Sequence, residues 1–139
     1  MKRIFVLVCA VAFLFAGAAF GEPIRFPNGL TVDVAPGWSY EGTDEEIILT
    51  AEDNSCVIFI TVADADGLSG REIATAMSEE HGGSEPQQIY NDTYFYTFIN
   101  EHGVECKVFA GVEDGRIKVV LIAGDHNDIE DMLASIEVR

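Results

Sequence analysis

The sequence predicts an α+β fold, an antiparallel β-sheet with helices packed on its faces. Short polar turns containing Gly or Asn separate runs rich in β-branched and aromatic residues, which is typical of antiparallel hairpins. Two segments with the apolar period of a helix, one central and one near the C-terminus, interrupt and end this series of strands. Such an order favours helices lying on one sheet over a repeat of parallel β-α-β units.

The first 21 residues have the three-part pattern of a secretory signal peptide. Lys2 and Arg3 form a basic start, residues 4–15 are an unbroken apolar run, and small residues precede Glu22. We expect cleavage after Gly21 and a periplasmic or secreted protein. The alternatives are an uncleaved anchor, although a span needs about 20 apolar residues, and a lipoprotein at Cys9, which the large Val8 disfavours.

Residues 22–139 contain no repeat, low-complexity tract or linker, so we expect them to form a single domain. Loss of Lys2 and Arg3 with the leader takes the formal net charge from −16 to −18. Nucleic acids and anionic lipids bind through Lys and Arg patches, and this composition excludes both as partners. Cations, basic proteins and neutral ligands remain as partner classes.

The first half of this domain contains three predicted strands. Leu30, Val32 and Val34 alternate with polar residues, as in a strand with one wet face. Residues 46–52 form the second candidate. Residues 55–63 are apolar at nearly every position, which predicts that both faces of the sheet are covered there.

A helix over residues 70–81 has the strongest local signal. Ser69 and Glu72 have the spacing of a capping box. Ile73, Ala76 and Met77 fall on one face, and Gly82-Gly83 supplies a left-handed stop.

The second half of the domain is predicted as a series of antiparallel hairpins followed by a helix. Four strands are expected at residues 87–90, 93–100, 104–112 and 116–123, joined by short turns with Gly or Asn. In the last segment Ile129, Met132, Leu133 and Ile136 have helical spacing, with Asn127 and Glu130 as a possible capping pair.

Short motifs along the chain together resemble the PsbP-like/Mog superfamily of small exported domains. The motifs are Phe26-Pro27-Asn28-Gly29-Leu30, Pro36-Gly37-Trp38, the capped central helix, the aromatic hairpins and Leu133-Ala134-Ser135-Ile136. The resemblance implies an α/β/α sandwich and a non-catalytic role in binding or assembly. Members bind unrelated partners, and no residue here matches those that act on photosystem II or on a small GTPase.

Aromatic residues provide the candidate binding surfaces. Trp38 and Tyr40 follow a proline turn, and Tyr94 and Tyr96 lie on one face of an aromatic hairpin together with Phe98. Because tyrosine combines an apolar ring with a polar tip, an exposed Tyr94/Tyr96 face would suit a protein partner or a sugar. The competing interpretation is that a helix covers this face.

Asp64, Asp66 and Glu72 are the candidates for calcium ligands. Asp64, Asp66 and Gly67 imitate the middle of a calcium loop, but its first and twelfth positions would be Val62 and Ile73, both apolar. We therefore expect no metal and no cofactor, and interpret the carboxylates as favourable charges near a helix N-terminus.

Cys56 and Cys106 are predicted to form a structural disulfide. Each is in phase with apolar neighbours of its strand, which predicts a core-facing thiol, and an oxidising compartment favours a bridge. Two separately buried thiols are the alternative, because the two α-carbons must lie within about 7 Å.

The sequence thus favours a non-enzymatic exported module that binds an unknown protein of the envelope or secreted space. A calcium-binding or small-ligand carrier and a small hydrolase are the alternatives. His81, His102 and His126 all lie near turns or helix ends, and Gly67-Leu68-Ser69-Gly70 lacks the final Gly of a nucleophile elbow. The abundance of carboxylates, 24 in all, makes paired acids uninformative.

Overall fold

The computed structural model describes residues 22–138, so the predicted signal peptide lies outside the described residues. The chain divides into two compact units. The terminal unit comprises the described residues up to Val57 together with those from Asp125 onward, and the central unit is Ile58–Gly124. The prediction of a single domain therefore stays a prediction.

Ten strands and two helices occur within residues 22–138. The strands are β1 (Glu22–Arg25), β2 (Leu30–Val34), β3 (Ser39–Gly42), β4 (Glu46–Thr50), β5 (Cys56–Asp64), β6 (Gln87–Tyr90), β7 (Thr93–Ile99), β8 (Glu105–Glu113), β9 (Arg116–Gly124) and β10 (Glu137–Val138), and the helices are α1 (Gly70–His81) and α2 (Ile129–Ala134). Within this stretch no helix has the length and apolarity needed to cross a membrane.

The terminal unit is built from a small sheet and a hairpin. The sheet has the order β1-β2-β10, with both neighbours antiparallel to β2. Strands β3 and β4 form an antiparallel hairpin, and α2 packs on β2. The alternation predicted for β2 is confirmed, because Leu30, Val32 and Val34 are buried. Apolar side chains of β2 and β4 are thereby removed from water, which is the main favourable term for this unit.

The central unit is an antiparallel meander with a helix packed on it. Its strands follow the order β5-β9-β8-β7-β6, and β6 to β9 are joined by antiparallel pairing. Helix α1 packs on β7 and β8. The buried residues between helix and strands form one cluster, which consists of Ile73, Ala74, Tyr96, Val108, Ala110 and Val119. The predicted α+β class, an antiparallel sheet with helices packed against strands, is confirmed.

Helix α1 begins and ends where the sequence predicts. The Glu72 N–H donates to Ser69 Oγ at 3.1 Å, and the Ser69 N–H donates to Glu72 Oε1 at 3.1 Å, so the capping box is complete. Gly82 ends the helix in the left-handed conformation, with φ of 66°.

The turn between β6 and β7 is held against the start of α1. The Gly70 N–H donates to Asp92 Oδ2 at 2.7 Å, and a β-carbon at Gly70 would collide with the Asp92 carbonyl oxygen. Asp92 thus pairs a backbone donor that a helix start leaves without an intrahelical partner.

Three features of the fold differ from the sequence prediction. Helix α2 ends at Ala134, short of Ile136, and its N-cap is Asp128, whose side chain makes no cap hydrogen bond. The prediction that Asn127 and Glu130 form the capping pair is therefore wrong. The side chain of Asp128, the actual N-cap residue, accepts a hydrogen bond from Trp38 Nε1 through Oδ2 and does not cap the helix. Strand β5 buries one face fully and the other only partly. The short strands β1, β3 and β10 were not predicted.

Candidate functional site

The aromatic strand β7 has two faces, and α1 covers the one on which the sequence placed a binding surface. Tyr96 is 1% exposed, and Tyr94 and Phe98 are partly buried against the same cluster. His81, at the end of α1, hydrogen-bonds through Nδ1 to Tyr96 Oη at 2.7 Å and stacks on Phe98 with ring centroids 4.1 Å apart. Burial raises the pKa of Tyr96 to about 12, and Glu80 adds to the rise. The proposed Tyr94/Tyr96 contact surface is therefore corrected, because this face is core.

The other aromatic candidates, Trp38 and Tyr40, are also buried. Trp38 is 4% exposed, donates from Nε1 to Asp128 Oδ2 at 3.1 Å and meets His126 edge to face at 5.1 Å. Tyr40 packs edge to face on Phe26 at 5.5 Å. Both rings stabilise the terminal unit and present no exposed aromatic surface.

The opposite face of β7 keeps apolar side chains in contact with water. Phe95 is paired with Phe109 of β8, and their rings lie 4.9 Å apart, both partly exposed. Ile99, on the same face, is 61% exposed, and Tyr90 is 72% exposed and paired with Thr93 of that face. We call Tyr90, Phe95, Ile99 and Phe109 the open face. It is the candidate contact surface of the central unit.

A signal for the open face was present in the sequence. In β8, Cys106, Val108 and Ala110 are apolar, whereas the residues that alternate with them include the charged Glu105 and Lys107. The hairpin register pairs Phe98 with Cys106 and Ile99 with Glu105. Because cross-strand partners point to the same face, this register assigns Phe98 to the core and Ile99 to solvent.

Strand β6 forms the free edge beside the open face. It is the last strand in the order of the sheet, and all four of its residues are exposed, Ile89 at 52%. Its pairing with β7 shifts register between Gln88 and Tyr90. Within residues 22–138 no strand pairs with its outer side. An edge of this kind presents backbone N–H and C=O groups to an incoming chain.

The stretch of sequence that contains this edge strand carries charge of one sign. Residues 72–106 contain seven Asp and Glu residues and no Lys or Arg. Glu85 lies just before β6 and is exposed. Lys107, the first cation after Arg71, lies on β8, two strand spacings or about 9.6 Å from β6. Strand β6 itself carries no charged residue, and the exposed carboxylate of Glu85 lies at its start.

Cys56 and Cys106 are free, buried thiols, so the predicted disulfide is absent from the structure. In the central sheet β9 lies between β5 and β8, the strands that carry the two cysteines. Strands separated in this way stand about 9.6 Å apart, which exceeds the separation of about 7 Å that a bridge allows. Burial raises the pKa of Cys56 to about 11 and also raises that of Cys106. Both thiols therefore stay protonated at neutral pH and are poor nucleophiles.

The three carboxylates considered as calcium ligands have other roles. Asp64 lies 3.7 Å from the Arg116 guanidinium, and Glu72 completes the capping box. Asp66 adopts a left-handed φ of 52° in the turn before α1. Among residues 22–138 no three His, Cys, Asp or Glu side chains are grouped so that they could hold a metal ion.

His126 is the centre of a polar cluster in the terminal unit. Its Nδ1 accepts a hydrogen bond from the Asp128 N–H at 3.1 Å and lies 3.5 Å from Asp128 Oδ2. The pKa of the exposed Asp53 carboxyl is lowered, first by its hydrogen bonds with Ser55 and to a smaller extent by His126. The contacts of this cluster join α2 to the Trp38 turn, which is a structural role.

Solved structures of other proteins are similar in fold to this chain. The solution structure of cyanobacterial PsbP (CyanoP) from Synechocystis sp. PCC 6803 is similar with a TM-score of 0.56 at 7% identity, over 88% of this chain and 95% of that one. The fold is PsbP-like. A crystal structure from Bacteroides thetaiotaomicron VPI-5482 is similar with a TM-score of 0.57 at 15% identity over 86% of this chain. This chain covers 48% of that structure, about half its length.

Comparison of the sequence with family models and with curated proteins found no match. The sequence matches no family model. It also has no significant match among curated proteins. The PsbP-like resemblance seen in the sequence motifs is thus confirmed as a resemblance of fold.

Proposed function

We propose that this protein is a non-enzymatic exported module that binds another protein of the cell envelope or secreted space, and that the open face of the central unit makes the contact. The observation that carries the proposal is the exposure of Tyr90 and Ile99 beside the partly exposed Phe95 and Phe109. Neighbouring apolar side chains left in water favour association with another surface.

Other features support a binding role over catalysis. The raised thiol pKa values disfavour nucleophilic cysteines. His102 pairs only loosely with Glu101, at 3.7 Å, and both side chains are largely exposed. A binding or assembly role is also what the resemblance to the PsbP-like superfamily implies, and export is what the N-terminal pattern predicts.

Cross-linking in living cells tests this proposal. A photoreactive residue replaces Ile99 of the full chain, and in a matched control it replaces Thr75, which is exposed on α1. We expect a specific protein adduct from position 99 and none from position 75, with the partner identified by mass spectrometry. Equal adducts from both positions, or none from position 99 in cells that contain the exported protein, would contradict the proposal.

A further inference from the structure

We propose that the partner is held by strand addition: an extended, basic segment of another protein pairs with the outer side of β6. This inference rests on the proposed function and names the mode of binding and the chemistry of the partner. The first supporting observation is that β6 ends the sheet with all four residues exposed and no strand on its outer side within residues 22–138.

Strand addition would extend the open face. Successive side chains of an added strand point alternately to the two sides of the sheet, so every second side chain would continue the face that contains Tyr90 and Phe95. Ile89, 52% exposed, lies at the edge itself. Main-chain hydrogen bonds would give affinity, and apolar side chains on one side would give selectivity.

The negative charge near β6 favours a partner segment with positive charge. Glu85 precedes β6, and residues 72–106 carry seven carboxylates without a Lys or Arg. Lys or Arg side chains that alternate with apolar residues would meet the exposed Glu85 carboxylate at the start of β6. Opposite charges across an interface accelerate association and reject acidic competitors.

A second copy of this chain fits the edge less well. Pairing of two β6 strands would bring two Glu85 side chains and two anionic surfaces together, at four residues of strand from each copy. Like charges brought together across an interface oppose association, so the charge at this edge favours a basic partner over a second copy.

The test uses the isotope-labelled exported protein and synthetic eight-residue peptides. The main probe alternates valine and lysine. A second peptide has glutamate in place of lysine, and a third keeps the valine/lysine side chains but is N-methylated at alternate backbone nitrogens. We expect the first peptide to shift the amide resonances of residues 87–91. We expect at least tenfold weaker binding of the N-methylated peptide and no binding of the glutamate peptide.

Two variants with the same charge change complete the design. Ile89→Lys should weaken binding of the valine/lysine peptide at least tenfold, whereas Val104→Lys, at a 37% exposed position in the β7–β8 turn, should leave affinity within twofold. Both positions are exposed, so both variants should fold, which the amide spectrum checks.

Several outcomes would overturn the inference. These are equal binding of the N-methylated or glutamate peptide, shifts confined to residues outside β6, or a dimer that Ile89→Lys dissociates in sedimentation, since that dimer would make a second copy the occupant. An adduct at position 99 combined with failure of the peptide would leave the proposed function intact and reject strand addition alone. The absence of an adduct would reject the proposed function itself.

Discussion

Both faces of strand β7 carry apolar side chains, but only one of the two faces is buried. Tyr94, Tyr96 and Phe98 pack beneath α1, whereas Phe95 and Ile99, one residue out of phase, remain partly or largely exposed. The face beneath α1 carries three aromatic rings, whereas the other face carries one, Phe95, together with Ile99 and two threonines. The choice follows from the partners, because α1 meets small and apolar residues of β8 on one side and charged residues lie on the other. An aromatic strand is therefore evidence for function only on the face that no element of the fold covers.

Tyr96→Ala should have the largest effect on stability. It tests the face of β7 that lies beneath α1, which we call the covered face. Removal of a ring that is 1% exposed leaves a cavity among Ile73, Ala74 and Val108. We expect a loss of about 3–5 kcal/mol in the free energy of unfolding, measured by urea denaturation. If the loss stayed below about 1 kcal/mol, α1 would not depend on this face.

Gly70→Ala tests the attachment of α1 to the β6–β7 turn. Alanine usually stabilises an exposed helix by about 1 kcal/mol relative to glycine, but here its β-carbon would collide with the Asp92 carbonyl oxygen. We therefore expect destabilisation of about 2 kcal/mol. Arg71→Ala, at the exposed neighbouring position, is the control and should change stability little. A stabilised Gly70→Ala variant would disprove the close approach.

Alkaline pH should destabilise the fold in part through Tyr96. The folded pKa of Tyr96 is about 12, above the usual 10, because burial disfavours the phenolate. Its contribution to stability is fully present below pH 10 and is lost as pH rises towards 12, because the unfolded chain ionises first. The midpoint of thermal unfolding should therefore fall less steeply between pH 10 and pH 12 in Tyr96→Phe than in the native sequence. Parallel pH profiles would show that Tyr96 does not contribute to this dependence.

Ile99→Thr should have the smallest effect on stability and tests the open face. Threonine keeps the β-branched shape that suits a strand, and Ile99 is 61% exposed. We expect a change of no more than about 0.5 kcal/mol in unfolding free energy. A loss above about 1.5 kcal/mol would mean that this position is part of the core and would remove Ile99 from the contact surface.

Local signals predicted the elements that depend on local physics. The bounds of α1 were predicted to the residue, because Ser69 and Glu72 pair backbone groups within one turn and Gly82 provides the left-handed stop. Strand β6 was likewise predicted in full. Strands β1, β3 and β10 have no apolar alternation of their own, and they exist because each pairs with another strand.

The sequence predicted the hairpin that carries the candidate site but not the face of the hairpin on which the site lies. The sequence pointed to the aromatic hairpin, and β7 does supply Phe95 and Ile99 of the open face. It favoured Tyr94 and Tyr96 because tyrosine is common at interfaces. The structure buries Tyr96, and it also buries Trp38, whose Nε1 donates to a carboxylate 90 positions away in the chain. No pattern in the neighbourhood of Trp38 contains that information.

By itself the sequence determined the periods, the caps, the turns and the charge of this protein. Each depends on a few consecutive residues or on composition, so an α+β fold with antiparallel hairpins and a strongly anionic surface followed from it. Only the tertiary structure decided the register that puts Tyr96 beneath α1, and that β9 separates the strands of Cys56 and Cys106. It also decided that the Asp128 carboxylate accepts a hydrogen bond from Trp38 Nε1 and makes no cap hydrogen bond to helix α2. The reason is that alternation specifies two faces without saying which is inside, and that choice depends on partners far away in the chain.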